Sequence, residues 1–287
     1  MKALHAYLLL LPAFVLLVAF THYPAVATLI DSLYSTPKGS RPGVWVGLEN
    51  YALMVDDPVF WKAATNNLWF ALATIPLSIG LALLMALWVN ERMTGRGFLR
   101  MAYFTPTVLP MIAVANIWLF FYTPSYGLLE QITGFFGLPS HNWLGDQRTA
   151  LGAVTVVAVW KEAGFFMIFY LAALQSLNPS LREAAAIEGA SRWYFFRRVQ
   201  WPLLMPTTLF VIVNAVINAV RMVDHIIVLT RGGPDNASTL LLYYLYKVGF
   251  KFWDTAYAAA LTVVLLAVLA SVALIQFFVL DRKVHYK

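Results

Sequence analysis

Four polar side chains inside an otherwise apolar stretch are the residues of this chain best placed for chemistry: Asn214, Asn218, Arg221 and Asp224. The first three recur at i, i+4 and i+7, so a helix puts them on one stripe. Each amide offers donors and an acceptor, a set suited to sugar-like hydroxyls. Arg221 could add charge-assisted contacts to an anionic solute. Two other readings stay open: Asp224, three residues on, could neutralise Arg221, and amides on one face also suit packing between helices. Lys161 and Glu162 place two adjacent charges in another apolar stretch, where charge is costly and usually faces a cavity or a partner. Adjacent residues cannot share a helix face.

Bond-making chemistry finds no support. With no cysteine there is no thiolate nucleophile, disulfide or Cys-based metal site. His5, His22, His141, His225 and His285 are scattered without metal-ligand spacing, and Ser191 has no evident His/Asp partners. No catalytic residue and no metal ligand is assigned. No G-x-x-x-x-G-K-[ST] occurs either, so an ATP-driven role needs a separate ATPase. The net charge of +6 does not indicate nucleic acid, because the basic residues fall in short segments between apolar spans.

The positioning elements follow from composition. The chain is 61% hydrophobic and 12% charged, with a mean hydropathy of +0.70. A soluble domain carries about a quarter charged residues, so an all-α polytopic membrane protein is expected. Six stretches have the length and apolarity of spanning helices, near 6–29, 61–89, 99–122, 150–174, 203–229 and 256–280. Pro12, Pro76, Pro106, Pro110 and Pro206 fall in them and suggest kinks. Lys2, the apolar run 8–19 and Ala25-Val26-Ala27 have the form of a cleavable leader. The further spans favour a first membrane helix acting as its own uncleaved signal. With the N-terminus inside, inner segments carry eleven Lys and Arg, including Arg92, Arg96, Arg100, Arg182 and Arg192, and outer segments seven. This bias puts both termini in the cytoplasm and makes the chain one multi-pass domain, 1–287.

A polar segment lies between the fourth and fifth spans. Glu183-Ala184-Ala185-Ala186-Ile187-Glu188 favours a helix. Gly189-Ala190 then permits a left-handed turn into a second short amphipathic helix with Trp193, Phe196, Arg197 and Arg198. An ordinary amphipathic loop on the membrane surface would also fit. This segment, about 178–202, resembles the EAA coupling loop of binding-protein-dependent ABC importer permeases. Other motifs resemble the sugar-type members of that family in order and spacing. They are Gly47-Leu48-Glu49-Asn50-Tyr51, Asn66-Asn67, Leu174-Gln175-Ser176-Leu177-Asn178-Pro179, and Asp224 through Leu229-Thr230-Arg231-Gly232-Gly233-Pro234. The tail from Asp281 to Tyr286 resembles that of the glycerol-3-phosphate type. Arg231, where a small residue is common, and the Lys161-Glu162 pair depart from the pattern.

The resemblance implies a six-helix type I ABC importer permease in the maltose-type superfamily, set in the inner membrane of a bacterium or archaeon. It implies transport of a sugar or sugar-like polyol, including glycerol phosphate, by alternating access. Glu183, Ala184, Ala185, Glu188, Gly189, Ala190 and Phe196 would then couple to the ATPase. Asn214, Asn218, Arg221 and Asp224 would bind substrate. Its partners would be a second homologous permease, two ATPase subunits and an extracytoplasmic solute-binding protein. ATP and Mg would sit on the ATPase, with no cofactor in this chain. A secondary active transporter is the alternative, but those folds show internal repeats and broken helices lined by ion ligands.

Overall fold

A computed structural model describes residues 2–91 and 94–280. Arg92 and the basic tail of Asp281, Arg282, Lys283, Val284, His285, Tyr286 and Lys287 lie outside the described residues. The chain begins with α1 (Lys2–Leu17), a π turn (Val18–His22) and α2 (Tyr23–Asp31). Then come α3 (Glu49–Asp56), α4 (Pro58–Asn90), α5 (Arg96–Val108), α6 (Met111–Tyr122) and α7 (Leu128–Phe135). The helix α8 (Ala150–Ser176) leads to α9 (Pro179–Ile187), α10 (Arg192–Phe195), a π turn (Phe196–Gln200) and α11 (Trp201–Arg221). The chain closes with α12 (Asp224–Leu229), α13 (Leu241–Tyr246), a π turn (Lys247–Lys251) and α14 (Thr255–Leu280). Among the described residues, five helical stretches are long and apolar enough to cross a membrane, and the α5–α6 pair makes a sixth if counted as one span.

Two compact units divide the described chain, one holding 2–61 and 244–270, the other 62–243 and 271–280. In the first unit, Gly47 takes φ +61, a left-handed turn, just ahead of α3. That turn delivers Asn50, whose buried Nδ2 donates to the carbonyls of Ser32 and Tyr34 at 2.8 Å each. Tyr51 adds a hydroxyl contact to Ser32 Oγ at 2.7 Å. The Gly-Leu-Glu-Asn-Tyr motif thus supplies partners for carbonyls just past the end of α2, where the helix ladder leaves acceptors unmet. The same unit centres a hydroxyl cluster on Asp57, which accepts from Tyr244 and, at 2.7 Å, from Tyr257. Burial pushes the Asp57 carboxyl up, but the two phenols and the Val59 and Phe60 amides outweigh it and hold it below the usual carboxylate range. Burial, and then Asp57 itself, push the Tyr244 phenol up.

In the second unit, the third apolar stretch departs from a simple span. It bends by 105° between α5 and α6. The helices run through Pro76, Pro106 and Pro206, whereas Pro110 begins a new helix and Leu109 before it is extended, at ψ 138. A residue preceding proline is pushed out of the helical region. Pro110 also lacks the N–H that would satisfy the carbonyl of Pro106. Lys161 on α8 takes that place, with Nζ 3.1 Å from Pro106 O and also bonded to Leu109 O. Three residues on, α8 meets α5 so closely that a Cβ on Gly164 would lie 2.2 Å from Tyr103 O. Small Ala82 and Ala86 on α4 leave room for Phe166, Met167 and Tyr170 of α8, with Leu204, Val211 and Ala215 of α11 completing the core.

Candidate functional site

Two places gather the residues singled out by the sequence, and both lie in the second unit. The first is the segment 178–202. Pro179 opens α9 at a position where its missing N–H costs nothing, and the Asn178 side chain caps the helix by accepting from Ser180 N at 3.0 Å. Gly189 then turns at φ +69. The Ala190 N–H bonds to Ala185 O at 2.9 Å and the Gly189 N–H to Ala186 O at 3.2 Å. This crossed pair is the Schellman ending, which closes a helix on a left-handed residue. Ser191 caps α10 by accepting from Tyr194 N at 3.2 Å.

The result is two short capped helices around one glycine, with most of their side chains uncovered. Glu183, Ala184, Glu188 and Gly189 are exposed, while Ala185 and Ala190 are half-buried. Apolar side chains share this exposure: Ile187 is 88% exposed and Trp193 68%. Phe196 is half-buried, stacked on Trp193 at 5.6 Å and tilted towards Trp201 at 6.2 Å. It therefore orients the aromatic edge of the loop more than it faces outward. Ile187 and Trp193 are exposed apolar residues that the sequence reading did not select as site residues. Their signal was present, since both are large apolar residues in a segment otherwise rich in charge.

The second place is the stripe on α11. Asn214 and Asn218 are half-buried and Arg221 is exposed. Asn214 Nδ2 donates to Phe210 O of its own helix at 2.8 Å, leaving its carbonyl oxygen outside that bond. Asn218 Nδ2 donates to Glu162 Oε2 at 2.7 Å. Glu162 is only 6% exposed. The adjacent charges of α8 are thus divided between two neighbours, with Lys161 closing the α5–α6 bend and Glu162 holding α11. Carboxylate beside amide is a set that binds hydroxyls in complementary directions, and it places Glu162 with the α11 stripe.

Arg221 and Asp224 do not share a helix. The helix α11 ends at Arg221, Met222 is extended, and Asp224 opens α12, where it is exposed. Among the described residues no ion pair joins them; those present are Arg182–Glu91 and His141–Asp146. His225 beside Asp224 is fully buried against Phe70, ring centroids 5.7 Å apart. A cavity of about 790 Å³ lies elsewhere in the unit, walled by Trp118, Trp143 and Trp160, and contains none of the stripe residues.

The Thr230–Pro234 motif forms a tight turn beyond α12. Arg231 sits at φ +52 and Gly232 at φ +80, so Arg231 occupies a conformation that glycine adopts more cheaply. Buried Ser238 bonds Thr230 Oγ1 and Gly233 O at 2.7 Å each, and buried Thr239 bonds Gly232 O at 2.9 Å. Asn66 of α4 ties the turn down, donating to Asn236 O at 2.8 Å and Thr239 O at 3.0 Å.

Comparison with known proteins finds a family, relatives and a fold like this one. The family described as "Binding-protein-dependent transport system inner membrane component" matches residues 78–286. The chain is 35% identical over 246 residues to the trehalose/maltose transport system permease protein MalF of Thermococcus litoralis, covering 85% of this chain and 83% of that one. It is 31% identical over 281 residues to the sn-glycerol-3-phosphate transport system permease protein UgpA of Agrobacterium fabrum, covering 98% and 96%. The fold matches a chain of a bacterial alginate ABC transporter, solved in complex with an alginate pentasaccharide-bound periplasmic protein. The TM-score is 0.88 at 23% identity, over 99% of this chain and 96% of that one.

Proposed function

Because this chain belongs to the family of binding-protein-dependent transport system inner membrane components, we propose that it imports a sugar or sugar-like polyol through a pathway shared with a second homologous permease. It is a multi-pass ABC transporter permease, a transport subunit and not a catalytic enzyme. On our reading both termini and the 178–202 loop face the cytoplasm. Two ATPase subunits carry ATP and Mg and receive that loop. A solute-binding protein delivers substrate on the other side. ATP closes the ATPase pair, the loops of the two permeases move together, and the pathway opens outward. Lys and Arg bias supports this orientation.

The observation that carries the coupling role is the 178–202 segment itself. It is a capped helix–Gly–helix with apolar Ile187 and Trp193 left uncovered. A soluble surface of this kind is a candidate interface. Glu183, Ala184, Ala185, Glu188, Gly189 and Ala190 lie along it, with Phe196 behind. The substrate reading rests on the Glu162–Asn218 bond and on Asn214 and Arg221 of the same stripe. Relatives named for trehalose/maltose and for glycerol 3-phosphate support hydroxylated solutes. Arg221 is the group that would favour a phosphorylated one.

The test is purification of the tagged chain from its native host, followed by reconstitution of what copurifies. Recovery of an ATPase whose hydrolysis is stimulated by a solute-binding protein, with uptake of a radiolabelled sugar or glycerol phosphate, is the expected result. A chain that transports alone, driven by an ion gradient, would overturn it in favour of a secondary transporter.

A further inference from the structure

Among the described residues, the short helix α9 packs against no other helix as extensively as α8 does against α5 and α11. Beneath it lies a cleft of about 550 Å³, walled by Leu174, Leu177, Leu181, Ala186 and Phe195. Across that cleft one side-chain tie reaches a different span. Arg182 Nη2 donates to both carboxylate oxygens of Glu91, at 3.3 and 3.2 Å, and Glu91 follows directly on α4.

We propose that Arg182 and Glu91 form a tether that carries displacement of α9 to the end of α4. It rests on the reading of 178–202 as the ATPase-docking loop and deepens it: docking moves α9, and the tether decides which span follows. Three features point this way. The pair is half-exposed, with side chains 57% and 44% accessible, so its contribution to folding is small. A charged pair that adds little to stability can still fix where a loosely packed helix sits. Its partner α4 is a helix of the core, contributing Ala82 and Ala86 to the cluster with α8 and α11, so a pull at Glu91 reaches the helices that carry Glu162 and Asn218. Finally, the cleft gives α9 room to move without opening a packed interface, since its walls are already apart. Arg182 and Glu91 act here as positioning residues; neither is assigned contact with ATPase or solute.

Charge reversal tests the tether in the purified complex of this chain with its ATPase and binding protein. R182E should lower solute transported per ATP hydrolysed by about five-fold, the scale of one exposed pair, with ATPase copurification unchanged. E91R should do the same, and R182E/E91R should restore the ratio. A double mutant no better than either single, or singles with the parental ratio, would overturn the tether. Loss of ATPase copurification from the parental chain would instead strike at the docking reading. The absence of cysteine permits a second, geometric measurement. In E91C/R182C, a bis-thiol reagent with the reach of the two lost side chains, longer than a direct disulfide, should join the two positions in resting membranes and restore the solute-to-ATP ratio that the unlinked variant loses. Failure to cross-link while the protein is correctly inserted would overturn the tether independently of any coupling assay.

Discussion

The 178–202 loop and the 230–241 turn are both short, glycine-bearing connections in the same unit, and they solve opposite problems. The turn hides its polar groups. Ser238 and Thr239 are fully buried, every hydroxyl in its core finds an acceptor, and Asn66 reaches in from α4 with two hydrogen bonds. The loop satisfies only its helix ends, through Asn178, Ser191 and the Gly189 turn, and leaves Ile187 and Trp193 uncovered. The two glycines record the difference. A Cβ on Gly232 would lie 2.4 Å from Thr239 Oγ1 and 2.7 Å from a Tyr243 ring carbon, while one on Gly189 would meet nothing within 4 Å. Both have positive φ, but one is required by the chain's own packing and the other leaves space beside it. A connection that is finished internally serves the fold, and one that is left open is available to a partner.

The largest expected effect follows from breaking the closed member of this pair. Gly232→Val adds both a clash and a β-branched side chain at φ +80, and should destabilise by about 3 kcal/mol or more. The measurement is yield of monodisperse protein in detergent, which should collapse. Normal yield would mean the turn is loose and the contrast false. Next in size is Asn66→Leu, which strands the carbonyls of Asn236 and Thr239 and should cost about 2 kcal/mol, read as a lower Tm of the purified complex. Gly189→Trp should behave in the opposite way. The left-handed backbone costs about 1–2 kcal/mol for a side chain, and nothing in this chain is displaced, so the protein should insert. Uptake should nevertheless be abolished and ATPase copurification weakened, because the indole projects where a partner would close in. Wild-type uptake by that variant would remove Gly189 from the interface.

The two regions were also unequally legible. The loop could be read in detail, because caps, helix formers and a breaking glycine act locally: α9, the Gly189 turn and α10 all fall where the residues between 179 and 195 put them. Of the turn, only the Gly-Gly-Pro core was visible. Its closure depends on Asn66, which is about 170 positions away, and nothing in the spacing of 230–241 points there. The same distance explains the membrane charges. Lys161 and Glu162 stood out as costly, but their roles depend on a bend at Pro110 and an amide at 218 that only the folded chain brings near. The bend itself was half legible: proline signals a break, but several prolines fall in spans and only the surroundings decide which one turns the chain by 105°.

The smallest expected effect sharpens the contrast most, because it separates partner contact from fold inside a single helix turn. Glu183 is exposed and no ion pair engages it among the described residues, whereas its neighbour Arg182 is tied to Glu91. Glu183→Lys should leave the stability of the isolated chain within about 0.5 kcal/mol of the parent, as for most surface changes, read as a nearly unchanged Tm. If Glu183 meets a cationic group on the ATPase, the reversal costs about 1 kcal/mol there. That appears as a few-fold weaker ATPase retention and should grow as salt falls, because screening fades and the new repulsion is felt in full. A salt-independent loss would instead indicate a helix that no longer packs. No change at any ionic strength would place the contact surface on Ile187 and Trp193, and the open loop would then be an apolar docking face whose charges serve solubility alone.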